Sequence, residues 1–217
     1  MSYIKENDGF KGEFENDEEK NGEGIIYKED NLYIGELKNG EKNNKGKIYY
    51  KNGNKYYGEF LEDKMNGKGI IFKDEIYEGE IKNNKKEGKG IYYYKNKDKY
   101  YGEWKNELKD GYGILYYSNG DIYKGEWKEN KKQGKGIILY NNGTIFEGIF
   151  KEGKEFEGNG YIYYENGDIY NGHIKNGLKE EEGIFIYKNG DKFEGIFKED
   201  KEYEGINIIN NFKIRIE

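Results

Sequence analysis

One histidine, two serines, one threonine and no cysteine are all this chain offers for nucleophilic or soft-metal chemistry. A Ser–His–Asp triad would have to join His173 to Ser2 or Ser118. Without Cys, a zinc knuckle, a disulfide framework and a thiol nucleophile are excluded, and one His is too few for a His-based metal centre. Carboxylates are plentiful, and Glu13, Glu36, Glu59, Glu80, Glu103 and Glu126 each follow a glycine that recurs along the chain. Acid–base work wants two such groups in one pocket with pKa values pushed apart. Strand alternation instead spreads these six over one solvated face. Gly-x-Gly segments also recur, but none leads into the Lys-Ser or Lys-Thr of a phosphate loop or opens a helix. His173 stands where several other copies carry Glu. These residues predict no catalytic set, no metal, no cofactor and no enzyme.

The spacing of the glycines shows what they serve. Of 217 residues, 33 are Gly and 24 Tyr, while Pro, Ala and Val are missing. Leu, Ile and Phe number 45, about a fifth of the chain, which borders on disorder. The 17% aromatic content argues against disorder. An aromatic-x-Gly triplet starts at Phe10, Tyr33, Tyr56, Tyr77, Tyr100, Tyr123, Phe146, Tyr170 and Phe193, with Gly-to-Gly steps of 21 to 24 residues. Two residues after each Gly stands a large apolar residue, as in Phe60, Trp104, Trp127 and Phe150. A Gly-x-Gly follows about nine residues after the triplet Gly, degenerate at Asn44, Glu181 and Asn207. A fixed period of this length marks a repeat architecture.

Each period reads as two strands. Asp121 to Lys128 puts Tyr123, Gly125 and Trp127 on one face and Lys124 and Glu126 on the other. Asn-Gly pairs such as Asn119-Gly120 and Asn142-Gly143 suggest type I′ turns, and the turn after the Trp position reads as the longer one. The extra residue in the repeats starting at Phe10 and Phe146 is expected in a turn. The fold expected is all-β: one elongated single-layer antiparallel sheet of about nine tandem hairpins, twisted or coiled around an open aromatic-lined groove. An N-terminal partial strand over 1–9, the array over 10–207 and a capping strand over 208–217 complete the division.

Tyr-x-Gly-x-Trp followed by Gly-x-Gly resembles the MORN repeat, most closely in Tyr100–Trp104 with Gly111-Tyr112-Gly113 and in Tyr123–Trp127 with Gly134-Lys135-Gly136. The resemblance covers residues 10–207. It implies a groove-bearing hairpin array that holds partners as a scaffold near cytoskeleton or membrane, with catalysis confined to appended domains for which this chain leaves no room. It also implies phosphoinositide binding or dimerisation in some members. Leu37, Ile81 and Ile174 depart from the Trp position, which should reshape the groove there.

The expected partner site is the aromatic stripe, Tyr56, Phe60, Tyr100, Trp104, Tyr123, Trp127, Phe146 and Phe150, taking an amphipathic helix or an extended peptide. The alternative is a membrane-surface tether. Residues 81–135 carry a net charge of +6, and Lys85, Lys86, Lys109, Lys131 and Lys132 fall in the turns read as long, so they would line one edge facing anionic lipid. Nucleic acid is not expected at a sequence pI near 5.3. The alternating Phe212 to Glu217 either caps the last hairpin or pairs with its counterpart to make a homodimer. No apolar signal core or membrane span is present, so a cytoplasmic place, at membrane or cytoskeleton, is expected.

Overall fold

The computed structural model describes residues 21–209 in full and, at 2–7, 10–15, 18–20 and 212–216, the course of the strands. The chain forms two compact units. The first, Met1–Leu108, holds β1 (Ser2–Asn7), β2 (Phe10–Glu15), β3 (Glu18–Lys28), β4 (Asn31–Lys38), β5 (Glu41–Tyr49), β6 (Lys55–Leu61), β7 (Lys64–Phe72), β8 (Ile76–Lys82), β9 (Lys85–Tyr93) and β10 (Lys99–Lys105). The second, Lys109–Glu217, holds β11 (Leu108–Tyr116), β12 (Ile122–Lys128), β13 (Lys131–Leu139), β14 (Ile145–Lys151), β15 (Lys154–Tyr163), β16 (Ile169–Lys175), β17 (Leu178–Ile186), β18 (Lys192–Lys198), β19 (Lys201–Ile209) and β20 (Phe212–Ile216). Within each unit every strand pairs antiparallel with its sequence neighbour, so each unit is a single layer of hairpins. β20 pairs with β19. The packing of the repeat begun at Phe10, and the C-terminal side chains from 210 on, lie outside the described residues.

The glycines form a ladder across the strands. Gly35 pairs with Gly46, Gly46 with Gly58, Gly58 with Gly69, Gly69 with Gly79, Gly79 with Gly90 and Gly90 with Gly102. In the second unit Gly113, Gly125, Gly136 and Gly148 continue the same rule. The reason is the tyrosine ring that lies over every second pair, the pair within a hairpin, as Tyr33 lies over Gly35 and Gly46 and Tyr123 over Gly125 and Gly136. A Cβ on Gly136 would sit 2.7 Å from the Tyr123 hydroxyl and 2.8 Å from its ring. The hydroxyl then donates to the carbonyl one residue past the triplet Gly: Tyr33 to Glu36 at 2.7 Å, Tyr56 to Glu59 at 2.8 Å, Tyr123 to Glu126 at 2.9 Å and Tyr170 to His173 at 2.7 Å. The triplet thus encodes a ring, the flat floor it needs, and an acceptor for its buried hydroxyl.

The first Gly of Gly-x-Gly has a different duty. It lies in a bulge where three residues of one strand face one of the other, between Gly125↔Gly136 and Trp127↔Lys132 in the best-formed copy. The bend needs a left-handed backbone, with φ +69° at Gly134 and +108° at Gly111. Where the sequence departs, Asn44 (φ 52°) and Glu181 (φ 55°) take up the same conformation.

Two expectations about turns are corrected. The turn after the Trp position is the tight one: both of its residues have positive φ, as in Glu129 (47°) and Asn130 (69°), the signature of type I′. At Asn119-Gly120 only the Gly is left-handed (φ +97°). There Tyr117 N–H donates to the Asp121 carbonyl and Gly120 N–H to the Tyr117 carbonyl, a three-residue loop ending in a Gly bulge. Asn119 contributes by accepting from Asp121 N–H at 3.0 Å. The second correction concerns the Phe-led repeats. Their extra residue is not in a turn, since Glu152-Gly153 is still a two-residue type I′ turn. It lies inside β15, so that Gly148 pairs with Gly158 and Phe146 with Gly160. The ladder then resumes two residues later, from Gly160 to Gly172. Gly12↔Gly22 and Gly195↔Gly205 show the same register.

Candidate protein-binding face

Tyr56, Phe60, Tyr100, Trp104, Tyr123, Trp127, Phe146 and Phe150 all point to the face that carries the glycine ladder's rings, but none of them is open to a partner. Their exposures run from 0% to 5%. Each unit makes its core from this one face. Within a hairpin, the triplet aromatic meets its own Trp-position residue edge-on: Tyr56–Phe60 at 5.1 Å, Tyr100–Trp104 at 5.3 Å, Tyr123–Trp127 at 5.2 Å and Phe146–Phe150 at 5.4 Å. The same ring also meets the Trp-position residue of the next hairpin: Tyr33–Phe60 at 5.4 Å, Tyr77–Trp104 at 5.5 Å, Tyr123–Phe150 at 4.8 Å and Tyr170–Phe197 at 5.0 Å. Ring therefore locks to ring across consecutive hairpins. The expected binding stripe is corrected to the floor of the face, because a single layer has no other partner for these rings.

What stands above that floor is a second tyrosine column, four residues after the ladder Gly: Tyr50 and Tyr94 in the first unit, and Tyr117, Tyr140, Tyr164 and Tyr187 in the second. All six are half-buried. The signal was present in the period, since alternation from Gly134 through Gly136 and Ile138 puts Tyr140 on the same face. Tyr140 donates to Glu155 at 2.7 Å, Tyr187 to Glu202, and Tyr92, beside Tyr94, to Glu75 at 2.6 Å. Burial and the neighbouring carboxylate together push the Tyr187 phenol up to about 12 and raise Tyr92 and Tyr140 further. The bond from Tyr92 holds the Glu75 carboxyl below its usual range.

The lysines also differ from expectation. Lys85, Lys86, Lys109, Lys131 and Lys132 lie in strands β9, β11 and β13, not in long turns. Three of them fold onto the aromatic face. Lys86 Nζ lies 4.7 Å from the Tyr92 ring and 4.9 Å from Trp104, Lys109 lies 4.4 Å from Trp127, and Lys132 lies 5.0 Å from Tyr123 and 5.4 Å from Tyr117. Burial lowers the Lys132 ammonium below the ordinary lysine value. Lys86 also pairs with Glu107 at 3.3 Å, and Lys131, on the opposite face, pairs with Glu152. The expected lipid-facing edge is therefore divided between two faces. Period-2 alternation separates Lys85 from Lys86 and Lys131 from Lys132. His173 replaces the usual Glu and sits 3.7 Å from both Glu157 and Glu181, the second of which replaces the usual Gly. Among the described residues no group of three or more His, Cys, Asp or Glu is placed to hold a metal ion.

A prediction follows from the tyrosines. Burial raises the phenols of Tyr33, Tyr56, Tyr77, Tyr123 and Tyr170. A raised folded value means that the unfolded chain ionises first, so their contribution is intact below about pH 10 and is lost as pH rises above it. Each tyrosine then removes about 1.4 kcal/mol per pH unit. Tyrosinate absorbance and loss of the β-sheet circular dichroism should rise together in alkali. Tyrosinate appearing at about pH 10 for most of the 24 tyrosines, with the sheet intact, would contradict the burial.

Tandem hairpins closed by type I′ turns, a glycine ladder and one self-packed aromatic face define a β-hairpin repeat protein. The MORN repeat matches residues 33–55, 56–74, 77–99, 100–122, 123–145 and 170–192, more than half of the chain, and the chain belongs to that family. The repeats led by Phe10, Phe146 and Phe193 fall outside these matches. They are the ones that lack the ring hydroxyl and shift the ladder. No curated protein matches the chain. Among solved structures it is similar to the TCP domain of Drosophila melanogaster SAS-4 (dCPAP) in complex with a proline-rich motif of Ana2, at 19% identity, 89% coverage of this chain, 88% of that one and a TM-score of 0.36. It is also similar to the TCP10 domain of Danio rerio CPAP in complex with a STIL peptide, at 11% identity, 90% and 93% coverage and a TM-score of 0.43. Likeness at this level says nothing of what the present chain binds.

Proposed function

We propose that the chain is a non-enzymatic scaffold that holds a segment of another protein, helical or extended, against the aromatic face of its hairpins. The observation that carries this reading is the tyrosine column, which sets a partly exposed ring above the packed floor in six hairpins and is interrupted at Lys73 in the hairpin begun at Tyr56. Such rings give large contact area with few rotatable bonds, the composition of binding hot spots. The floor fixes their positions, and lysines such as Lys132 add cationic points between them.

Tyr117 and Tyr140 are the residues to change, because Trp104 and Trp127 are core. Replacing both tyrosines with Ala is expected to weaken capture of partner proteins from cell extracts at least about tenfold. The circular dichroism spectrum should be retained. Undiminished capture of every partner by the folded double variant would refute binding at this face of the second unit.

A further inference from the structure

The face opposite the aromatic core, in the first unit, is written in three rows, one residue per strand. Nearest the three-residue loops run Tyr49, Lys55, Phe72, Ile76, Tyr93 and Lys99 on β5 to β10. The middle row is Lys47, Tyr57, Ile70, Glu78, Ile91 and Tyr101. The third, flanking the glycine ladder, is Lys45, Glu59, Lys68, Glu80, Lys89 and Glu103, with strictly alternating charge. Among the described residues of the first unit nothing covers this face. Tyr101 is 50% exposed, Tyr93 37% and Ile76 36%, and the middle and third rows wall a shallow trough over Gly69, Gly79 and Gly90.

We infer that this face is a docking surface for a second copy of the chain, back to back, about a two-fold axis parallel to the strands between β7 and β8. Such an axis lays each row on itself with strand order reversed, so that β7 meets β8 of the second copy, β6 meets β9 and β5 meets β10. In the charged row, Lys68 then meets Glu80 of the second copy, Glu59 meets Lys89, and Lys45 meets Glu103. In the first row Phe72 meets Ile76, while Lys55 and Lys99 meet the rings of Tyr93 and Tyr49. In the middle row Tyr57 meets Ile91 and Lys47 meets Tyr101. Ile70 against Glu78 is the one poor match, and no like charges meet. Three rows obey one axis, and that is what charge complementarity to itself requires. The corresponding third row of the second unit, which contains Tyr112, Glu126, Lys135, Ile149 and Glu157, lacks the alternation. Sheets stacked this way sit about 10 Å apart. The surface is separate from the tyrosine column, so both can be occupied together.

The test is the solution mass of the full 25.6 kDa chain, followed by sedimentation across a wide concentration range. A dimer is expected. Lys68→Glu alone and Glu80→Lys alone should each weaken it at least about tenfold, since each variant sets like charges face to face at two symmetric places. An equimolar mixture of the two variants should dimerise again, because the reversed charges now face each other across the axis while each chain keeps its own altered neighbours. The exposed Ile76→Glu gives an independent check through Phe72 and should also dissociate the dimer. A wild-type monomer at the highest concentration would overturn the inference. So would a dimer untouched by all three changes, or a mixture of folded variants that stays monomeric.

Discussion

Gly125→Val is expected to unfold the hairpins around β12 and β13, although valine is a better strand residue than glycine. Propensity alone would favour the change by up to about 1 kcal/mol. The space forbids it. A Cβ on Gly125 would lie 2.6 Å from the Cα of Gly136, 2.6 Å from the Tyr123 hydroxyl and 2.7 Å from the Lys135 carbonyl oxygen. Two of these three obstacles are backbone and cannot rotate away. Either β13 moves off β12, breaking the ladder, or Tyr123 leaves a site where its exposure is 0%. Losing an aromatic of that size from a core costs about 3–5 kcal/mol, a large part of the total stability of an ordinary domain. Gly190→Ala is the control. It has φ +89° and nothing within 4 Å of its Cβ, so it should lose only the backbone strain of about 1–3 kcal/mol. Urea unfolding of the two variants decides the matter. If Gly125→Val were no more destabilising than Gly190→Ala, close approach would not be what the ladder glycines serve.

The alternation of Tyr123, Gly125 and Trp127 was legible because a strand's period of two is written directly in the sequence. The hairpins, the shared face and the family followed from that. The turns were harder. Asn119-Gly120 satisfies both a two-residue type I′ turn and a three-residue loop ending in a Gly bulge, and only the hydrogen bonds of Tyr117 separate them. The wrong turn assignment then put Lys86 and Lys132 in loops, when each is the second residue of a strand and turns inward onto rings. The Phe-led repeats hid their register for a related reason. One inserted residue can lengthen a turn or slip a strand, and the choice depends on which Gly of Gly158-x-Gly160 the preceding Gly148 meets. The face opposite the core was visible as polar alternation, but its rows exist only once Lys68 is known to lie opposite Glu80. As for the candidate site, the stripe named from sequence is the buried floor of the aromatic face. Aromatic residues in a sheet with no second layer pack on one another first, and what remains accessible is the tyrosine after the glycine pair.

Phe150→Ala should show how far such packing reaches. Phe150 is 1% exposed and stands between two hairpins, 5.4 Å from Phe146 and 4.8 Å from Tyr123. Its ring also lies 5.7 Å from the Lys132 ammonium. Truncation removes both ring contacts and leaves a cavity, for an expected loss of about 3–5 kcal/mol. In a quasi-one-dimensional array each hairpin touches only its neighbours, so the loss should be local. Amide hydrogen exchange should quicken in β12, β13, β14 and β15, while β18 and β19, held by Phe193–Phe197 at 5.2 Å, keep their protection. Tyr123→Ala removes the same inter-hairpin contact from the other side. The double variant should therefore be less destabilised than the sum of the two by at least about 0.5 kcal/mol, as for residues in contact. Strict additivity would mean that the Tyr123–Phe150 contact carries no energy of its own. Uniform loss of protection through β18 and β19 would mean that the second unit unfolds as one cooperative block rather than hairpin by hairpin, and the neighbour-on-neighbour account of its stability would fall.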